Sequence, residues 1–162
     1  MRAEGGGKIR TDGDTVEVVI PADAESVRHA LRTMFDTLLL RGLPEDHRGT
    51  AELVLAEALN NIVEHAYGRP AGQICITLNL GPGDLVCRIE DTGKPMPGDA
   101  LPGGDLRLYD DAGEVAEGGF GWHLIRALSR DLDYRRTGGR NMLSFRLDAG
   151  QDAGADTGVD GR

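Results

Sequence analysis

Aromatic residues are scarce in this sequence: one tryptophan, three tyrosines and three phenylalanines among 162 residues. Basic residues are few as well, eighteen against twenty-seven acidic ones, for a formal charge of −9, and they form no run. A chain short of both stacking rings and cations repels phosphate backbones at long range, so direct nucleic-acid binding is not expected. The two cysteines, Cys75 and Cys87, have neither CxxC spacing nor a neighbouring histidine cluster. A zinc site is therefore not expected, and buried free thiols are. No apolar run approaches the length of a membrane span; the leucine run within 37–40 is the longest. The N-terminal MRAEGGGKIR lacks the apolar segment of a signal peptide, so the expected compartment is cytoplasmic and no membrane partner is expected.

What remains is a chain long enough for one domain with a real core. Residues 1–14 are Gly-rich and charged and read as disordered. The stretch 15–20, TVEVVI, alternates and reads as a strand ended by Pro21. Asp23 caps a helix expected to run to about Arg41, with Val27, Leu31, Met34, Phe35 and Leu38 on one face. Strict alternation over 73–80, the turn residues Gly81, Pro82, Gly83 and Asp84, and the return over 85–90 spell a β-hairpin. A second hairpin is expected from 134–136 and 141–147 around Gly138 and Gly139. From Asp148 onward periodicity stops, and 148–162 reads as a disordered acidic tail.

The stretch 51–68, AELVLAEALNNIVEHAYG, reads as one helix stopped by Gly68 and Pro70. Leu55, Leu59, Ile62 and Ala66 fall on one arc; Glu57, Asn61 and Glu64 fall near the opposite side. A carboxylate and a carboxamide four residues apart point into the same volume. The carboxylate can accept a proton, and the amide oxygen can hold a hard cation such as Mg²⁺. Taken alone, the pair reads as a solvated face, which is what most Glu/Asn pairs on helices are.

Two further features bear on that pair. The first hairpin ends in Asp91-Thr92-Gly93-Lys94-Pro95, followed by a loop rich in Gly, Pro and Asp as far as Gly118. Loops of that length inside a compact domain are usually functional or disordered. A short helical turn is expected near 106–109 within it. Gly118, Gly119, Phe120 and Gly121 then open an amphipathic helix over 122–132, with Leu124, Ile125 and Leu128 inward. Glycines at a helix start let the backbone approach an anion, and the free N–H groups there favour phosphate.

The order ExxxN on a helix, DxG at a strand end and GxG at a helix start resembles the Bergerat ATP-binding fold of histidine kinases, DNA gyrase and MutL. The signature Glu57, Ala58, Asn61, His65, Ala66 and Tyr67 is similar to that of the small bacterial anti-sigma factor serine/threonine kinases of the RsbW and SpoIIAB type. Pro95, where the wider family often has a second glycine, favours the same branch. The resemblance covers 16–147.

It implies an α/β (α+β) two-layer sandwich: a mixed, largely antiparallel sheet covered on one face by helices, with one ATP-binding kinase domain over 15–147. Glu57 is implied to be the general base and Asn61 the Mg²⁺ ligand. Asp91 is implied to accept from the adenine amino group beside Gly93, with Gly119 and Gly121 wrapping the phosphates and 94–117 as the ATP lid. Asn60, His65, Lys94, Pro95, Gly118 and Phe120 complete the expected nucleotide-binding set. For His65, satisfying carbonyls at its helix end is the competing role, and for Lys94 and Arg107 it is that of solvated loop charges. Arg28 and Arg32 lie on the first helix, which in this family helps form a partner surface; an exposed ion-paired face is the alternative.

The implied function is an ATP- and Mg²⁺-dependent kinase that holds an RNA polymerase sigma factor and phosphorylates a serine on a STAS-domain anti-anti-sigma partner, acting as a homodimer. One rival is an ATP-binding module that sequesters a partner without phosphoryl transfer. The other is a histidine-kinase-like catalytic domain acting in trans. Glu57 favours the kinase over the first rival; the lack of a phosphoacceptor histidine on a dimerising helix pair speaks against the second.

Overall fold

The alternating segments pair into one sheet in the computed structural model, which describes residues 7–65, 72–96, 100–101 and 120–150. The strands are β1 Lys8–Asp12, β2 Thr15–Pro21, β3 Gln73–Leu80, β4 Asp84–Asp91, β5 Arg130–Thr137 and β6 Arg140–Asp148. Their order is β1-β2-β3-β4-β6-β5, and every pairing among the described residues is antiparallel. The helices are α1 Ala24–Phe35, α2 Leu38–Arg41, α3 Glu45–His65 and α4 Phe120–Leu128.

Strand alternation decides which face is covered. Val16, Val18 and Ile20 of β2, Ile74, Ile76 and Leu78 of β3, Leu85, Cys87 and Ile89 of β4, and Leu143, Phe145 and Leu147 of β6 are all buried. They form one core cluster with Val27, Leu31 and Met34 of α1 and Val54, Leu55, Leu59 and Ile62 of α3. The opposite face carries ion pairs in the open, such as Arg88–Glu90 and Arg146–Asp84. The two-layer arrangement expected from the sequence is therefore present, with α3 packed against both α1 and α4.

Several boundaries differ from the sequence reading. The stretch up to Asp14, expected to be disordered, supplies β1, which joins β2 through a two-residue turn with Gly13 at positive φ. Residues 1–6 lie outside the described residues. The first helix does not run through to Arg41. Asp36 and Thr37 break it, Thr37 being extended with its hydroxyl donating to the Met34 carbonyl, and the short α2 restarts beyond. That break turns Leu38 away from the core, and it is 87% exposed.

The organising helix begins at Glu45, six residues ahead of its expected start. The last helix ends at Leu128, not Leu132: Arg130 to Leu132 belong to β5, with Asp131 at φ 54, and Leu128 is exposed. At the other end of the domain, Ala149 is fully buried and its N–H donates to the Gly83 carbonyl, so order extends past the expected start of the tail. Residues 151–162, the turn expected near 106–109 and most of the lid over 94–117 fall outside the described residues.

Candidate functional site

Polar side chains are rarely buried without purpose, because each needs a partner to offset desolvation. Among the described residues four are buried: Ser26, Asn61, Asp91 and Asn141. Ser26 is explained by the α1 cap, where its N–H and hydroxyl both donate to the Asp23 carboxylate. The other three mark two clusters.

The first cluster joins α3 to α4. Glu57 and Asn61 project from successive turns of α3, as their spacing requires, but the solvated-face reading does not hold for Asn61, which is 7% exposed. The covering element is the first turn of α4. Gly121 sits so close that a Cβ there would lie 2.7 Å from Oε2 of Glu57 and 3.3 Å from Nδ2 of Asn61. Nδ2 of Asn61 has no hydrogen-bond partner among the described residues. A buried amide in that state carries an uncompensated desolvation cost of about 1–3 kcal/mol, which a bound acceptor would relieve. Beside it lie an amide oxygen suited to a hard cation and a half-buried carboxylate able to take a proton.

The second cluster lies at the end of the sheet. Register places Ile20, Ile74, Asp91, Asn141 and Arg136 in one row across five strands, on the helix-covered face. Asp91 continues the inward phase of Leu85, Cys87 and Ile89, and Asn141 leads that of Leu143, Phe145 and Leu147. Oδ1 of Asp91 accepts from the Gly93 N–H at 2.8 Å and from Nδ2 of Asn141 at 2.9 Å. The same amide nitrogen donates to the Gly93 and Lys94 carbonyls at 3.2 and 3.0 Å. Oδ1 of Asn141 accepts from the Tyr134 hydroxyl and from Arg136, both at 2.7 Å, and Arg136 also donates to the Gly93 carbonyl. The Tyr134 hydroxyl in turn accepts from the Met96 N–H. Burial pushes the Asp91 carboxyl above its ordinary value, against the opposing pull of Asn141, the Gly93 N–H and the Arg136 charge.

Residues 20–147 match the histidine kinase-like ATPase domain. The chain belongs to this family. It is similar to the serine-protein kinase RsbW of Bacillus mycoides (strain KBAB4), 28% identical over 132 residues that cover 80% of this chain and 82% of the relative. The RsbW of Bacillus cereus (strain AH820) matches at the same identity and coverage. Among solved structures, the blue-light activated histidine kinase of Erythrobacter litoralis EL346 matches with a TM-score of 0.51 at 19% identity, over 82% of this chain. The chain spans 43% of that kinase, and the likeness bears on the fold alone. Membership of a histidine kinase-like ATPase family implies that the domain binds ATP.

In this ATPase domain the residues singled out in the sequence fare unequally. Glu57, Asn61 and Gly121 meet in one cluster, and Asp91, Gly93 and the Lys94 carbonyl in the other. Asn60 is exposed on α3, apart from the buried arc that holds Asn61. The Lys94 and Pro95 side chains are exposed, as are Arg28 and Arg32 on α1. Trp122 is buried in the core. Gly118, Gly119 and Arg107, and the side chains of His65 and Phe120, lie outside the described residues. Sequence reading missed Asn141, Tyr134 and Arg136. The available signal was an amide in phase with three large apolar residues on β6, a position where an unpartnered polar group is not tolerated. No helix among the described residues is long and apolar enough to cross a membrane.

Proposed function

We propose that this protein is an ATP- and Mg²⁺-dependent serine/threonine kinase that controls a sigma factor by partner switching. It holds the sigma factor, and it phosphorylates a serine of a small STAS-domain antagonist. The observation that carries the reading is the meeting of Glu57 and the orphaned Asn61 amide under Gly121, in a chain similar to proteins named serine-protein kinase.

In this reading Asp91 accepts from the adenine amino group, and Gly121 gives the phosphates access to the backbone at the α4 start. The serine hydroxyl oxygen forms a bond to the γ-phosphorus while the bond from that phosphorus to the β-phosphate oxygen breaks. Glu57 takes the hydroxyl proton, and ADP leaves. Asn61 fits a metal ligand through its amide oxygen, which is buried beside the Glu57 carboxylate, while its unpaired nitrogen is a donor that suits a phosphate oxygen. Magnesium, when bound, supplies the charge neutralisation that phosphoryl transfer needs. The protein's own part is positioning and a dry pocket. Phosphate on the antagonist adds negative charge to a surface docking on an acidic chain, which favours release.

The test is phosphate transfer from γ-labelled ATP with Mg²⁺ in an extract of the source cells, beside a Glu57→Ala control. A small protein labelled on serine, absent with the control, is expected. ATP binding without transfer in either version would overturn the kinase reading in favour of a sequestering module.

A further inference from the structure

The hydrogen bonds around Asp91 carry a consequence for base choice. A carboxylate has two oxygens with about four lone-pair sites between them. Here both bonds fall on one atom: Oδ1 of Asp91 accepts from the Gly93 N–H and from Asn141 Nδ2. Among the described residues, Oδ2 is the atom left to accept from a ligand. Adenine offers a carboxylate a single exocyclic amino group on its Watson–Crick edge, so one free oxygen suffices. Guanine offers two adjacent donors, its ring N–H and its amino group, and engages a carboxylate through both oxygens together. Its exocyclic oxygen, by contrast, repels one.

We propose that Asn141 is the positioning residue that sets base choice: by occupying Oδ1 of Asp91 it leaves one acceptor, which suits adenine and denies guanine its paired contact. The inference rests on the reading of Asp91 as the base-holding residue. Asn141 is well placed for the task because it cannot turn. Tyr134 and Arg136 both donate to its oxygen at 2.7 Å, which fixes the amide with its nitrogen toward Asp91. The same nitrogen ties down the Gly93 and Lys94 carbonyls, so the backbone beside Asp91 is fixed together with the carboxylate. Arg136 reinforces this with its own bond to the Gly93 carbonyl. A change at Asn141 thus acts on Asp91 without removing any group that the base itself touches.

The experiment is isothermal titration of ATP and GTP, each with Mg²⁺, into the full-length protein and into Asn141→Ala, Tyr134→Phe and Asp91→Asn. The wild type is expected to prefer ATP. In Asn141→Ala the preference should narrow by about tenfold, the order of one paired donor contact, with GTP gaining relative to ATP. A purely structural role would weaken both nucleotides alike, and an unchanged ratio in a folded Asn141→Ala overturns the proposal. So does a wild type indifferent to the base. Should circular dichroism show Asn141→Ala unfolded, Tyr134→Phe decides. It removes one of the two donors that hold the amide in place, so it should narrow the ratio in the same direction by about threefold, half a hydrogen bond's worth of discrimination; an unchanged ratio there overturns the proposal. Asp91→Asn separates the two levels. If it binds ATP as well as the wild type, the assignment of Asp91 itself fails. If it loses ATP while the Asn141 variant keeps the wild-type ratio, only the role of Asn141 does.

Discussion

Placing a methyl group on Gly121 tests whether the first turn of α4 is what aligns the Glu57–Asn61 pair. The Cβ of Gly121→Ala would lie 2.7 Å from Oε2 of Glu57, 3.3 Å from Nδ2 of Asn61 and 3.5 Å from its Oδ1. Relief to an ordinary contact near 3.5 Å requires a shift of roughly 0.8 Å. Glu57 is the group that yields, because its carboxylate is the far end of a flexible, half-buried side chain while Asn61 is enclosed. Moving it off a rotamer costs about 0.5–1.5 kcal/mol. The helix gains a similar amount, about 0.5–1 kcal/mol, on replacing glycine with alanine. Net stability should therefore stay within about 1 kcal/mol of the wild type.

Activity should not be spared. A base displaced by the better part of an ångström loses on the order of a hundredfold in rate. The assay is phosphate transfer to the proposed serine acceptor, paired with a thermal melt. Gly121→Ala should keep its melting temperature within a few degrees and lose transfer by about 30- to 100-fold. Measured at saturating ATP, where access of the phosphates to the backbone no longer limits and the effect left is the one through the carboxylate, Glu57→Ala/Gly121→Ala should be no worse than Glu57→Ala alone. Full transfer by a folded Gly121→Ala, or simple additivity in the double variant, would refute the reasoning.

Other outcomes follow from the same contacts. Because burial raises the Asp91 carboxyl above its ordinary 3.8, the folded state binds more protons than the unfolded chain in the window opening at that value. The stability of the wild type relative to Asp91→Asn should thus fall as pH rises through that window; denaturant titrations at several pH values that show it rising would reverse the sign of the argument. Cys87 is fully buried, and burial alone holds its thiol far above the ordinary range, whereas Cys75 is half-buried. Mass spectrometry after brief alkylation at neutral pH should find adducts on Cys75 first, with Cys87 modified only on unfolding. Asp23→Ala removes the bonds from the Ser26 N–H and hydroxyl at the α1 start, and chemical denaturation should register a loss of about 1 kcal/mol.

The sequence was most legible where the physics is local. Alternation over 73–80 and 85–90 gave both strands, the second one residue short at each end, and their inward faces, since each residue's side of the sheet follows from its parity. The cap at Asp23 was equally local. Boundaries set by competition were not. Leu38 fits the period of α1, but an extended Thr37 interrupts the helix ahead of it. β1 has Ile9 as its single large apolar residue, so its pairing with β2 had little signal beyond the turn at Gly13.

The candidate site divides along the same line. Glu57 and Asn61 share a helix, so their convergence is a property of one segment and could be read from spacing alone. What buries Asn61 is Gly121, sixty residues later, and that needed the packing of α4 on α3. Asn141 is harder still. Opposing Asp91 requires β6 to lie beside β4, with β5 displaced to the edge, and the register of two strands fifty residues apart to be right to the residue. A one-residue slip would turn Asn141 to the open face and bring Arg140 or Met142 inward, emptying the row that Tyr134 and Arg136 complete. The apolar residues at 143, 145 and 147 forbid that slip by demanding the core. The same burial that stabilises β6 therefore fixes the amide against the carboxylate, and the polar end of the row needs no separate means of alignment.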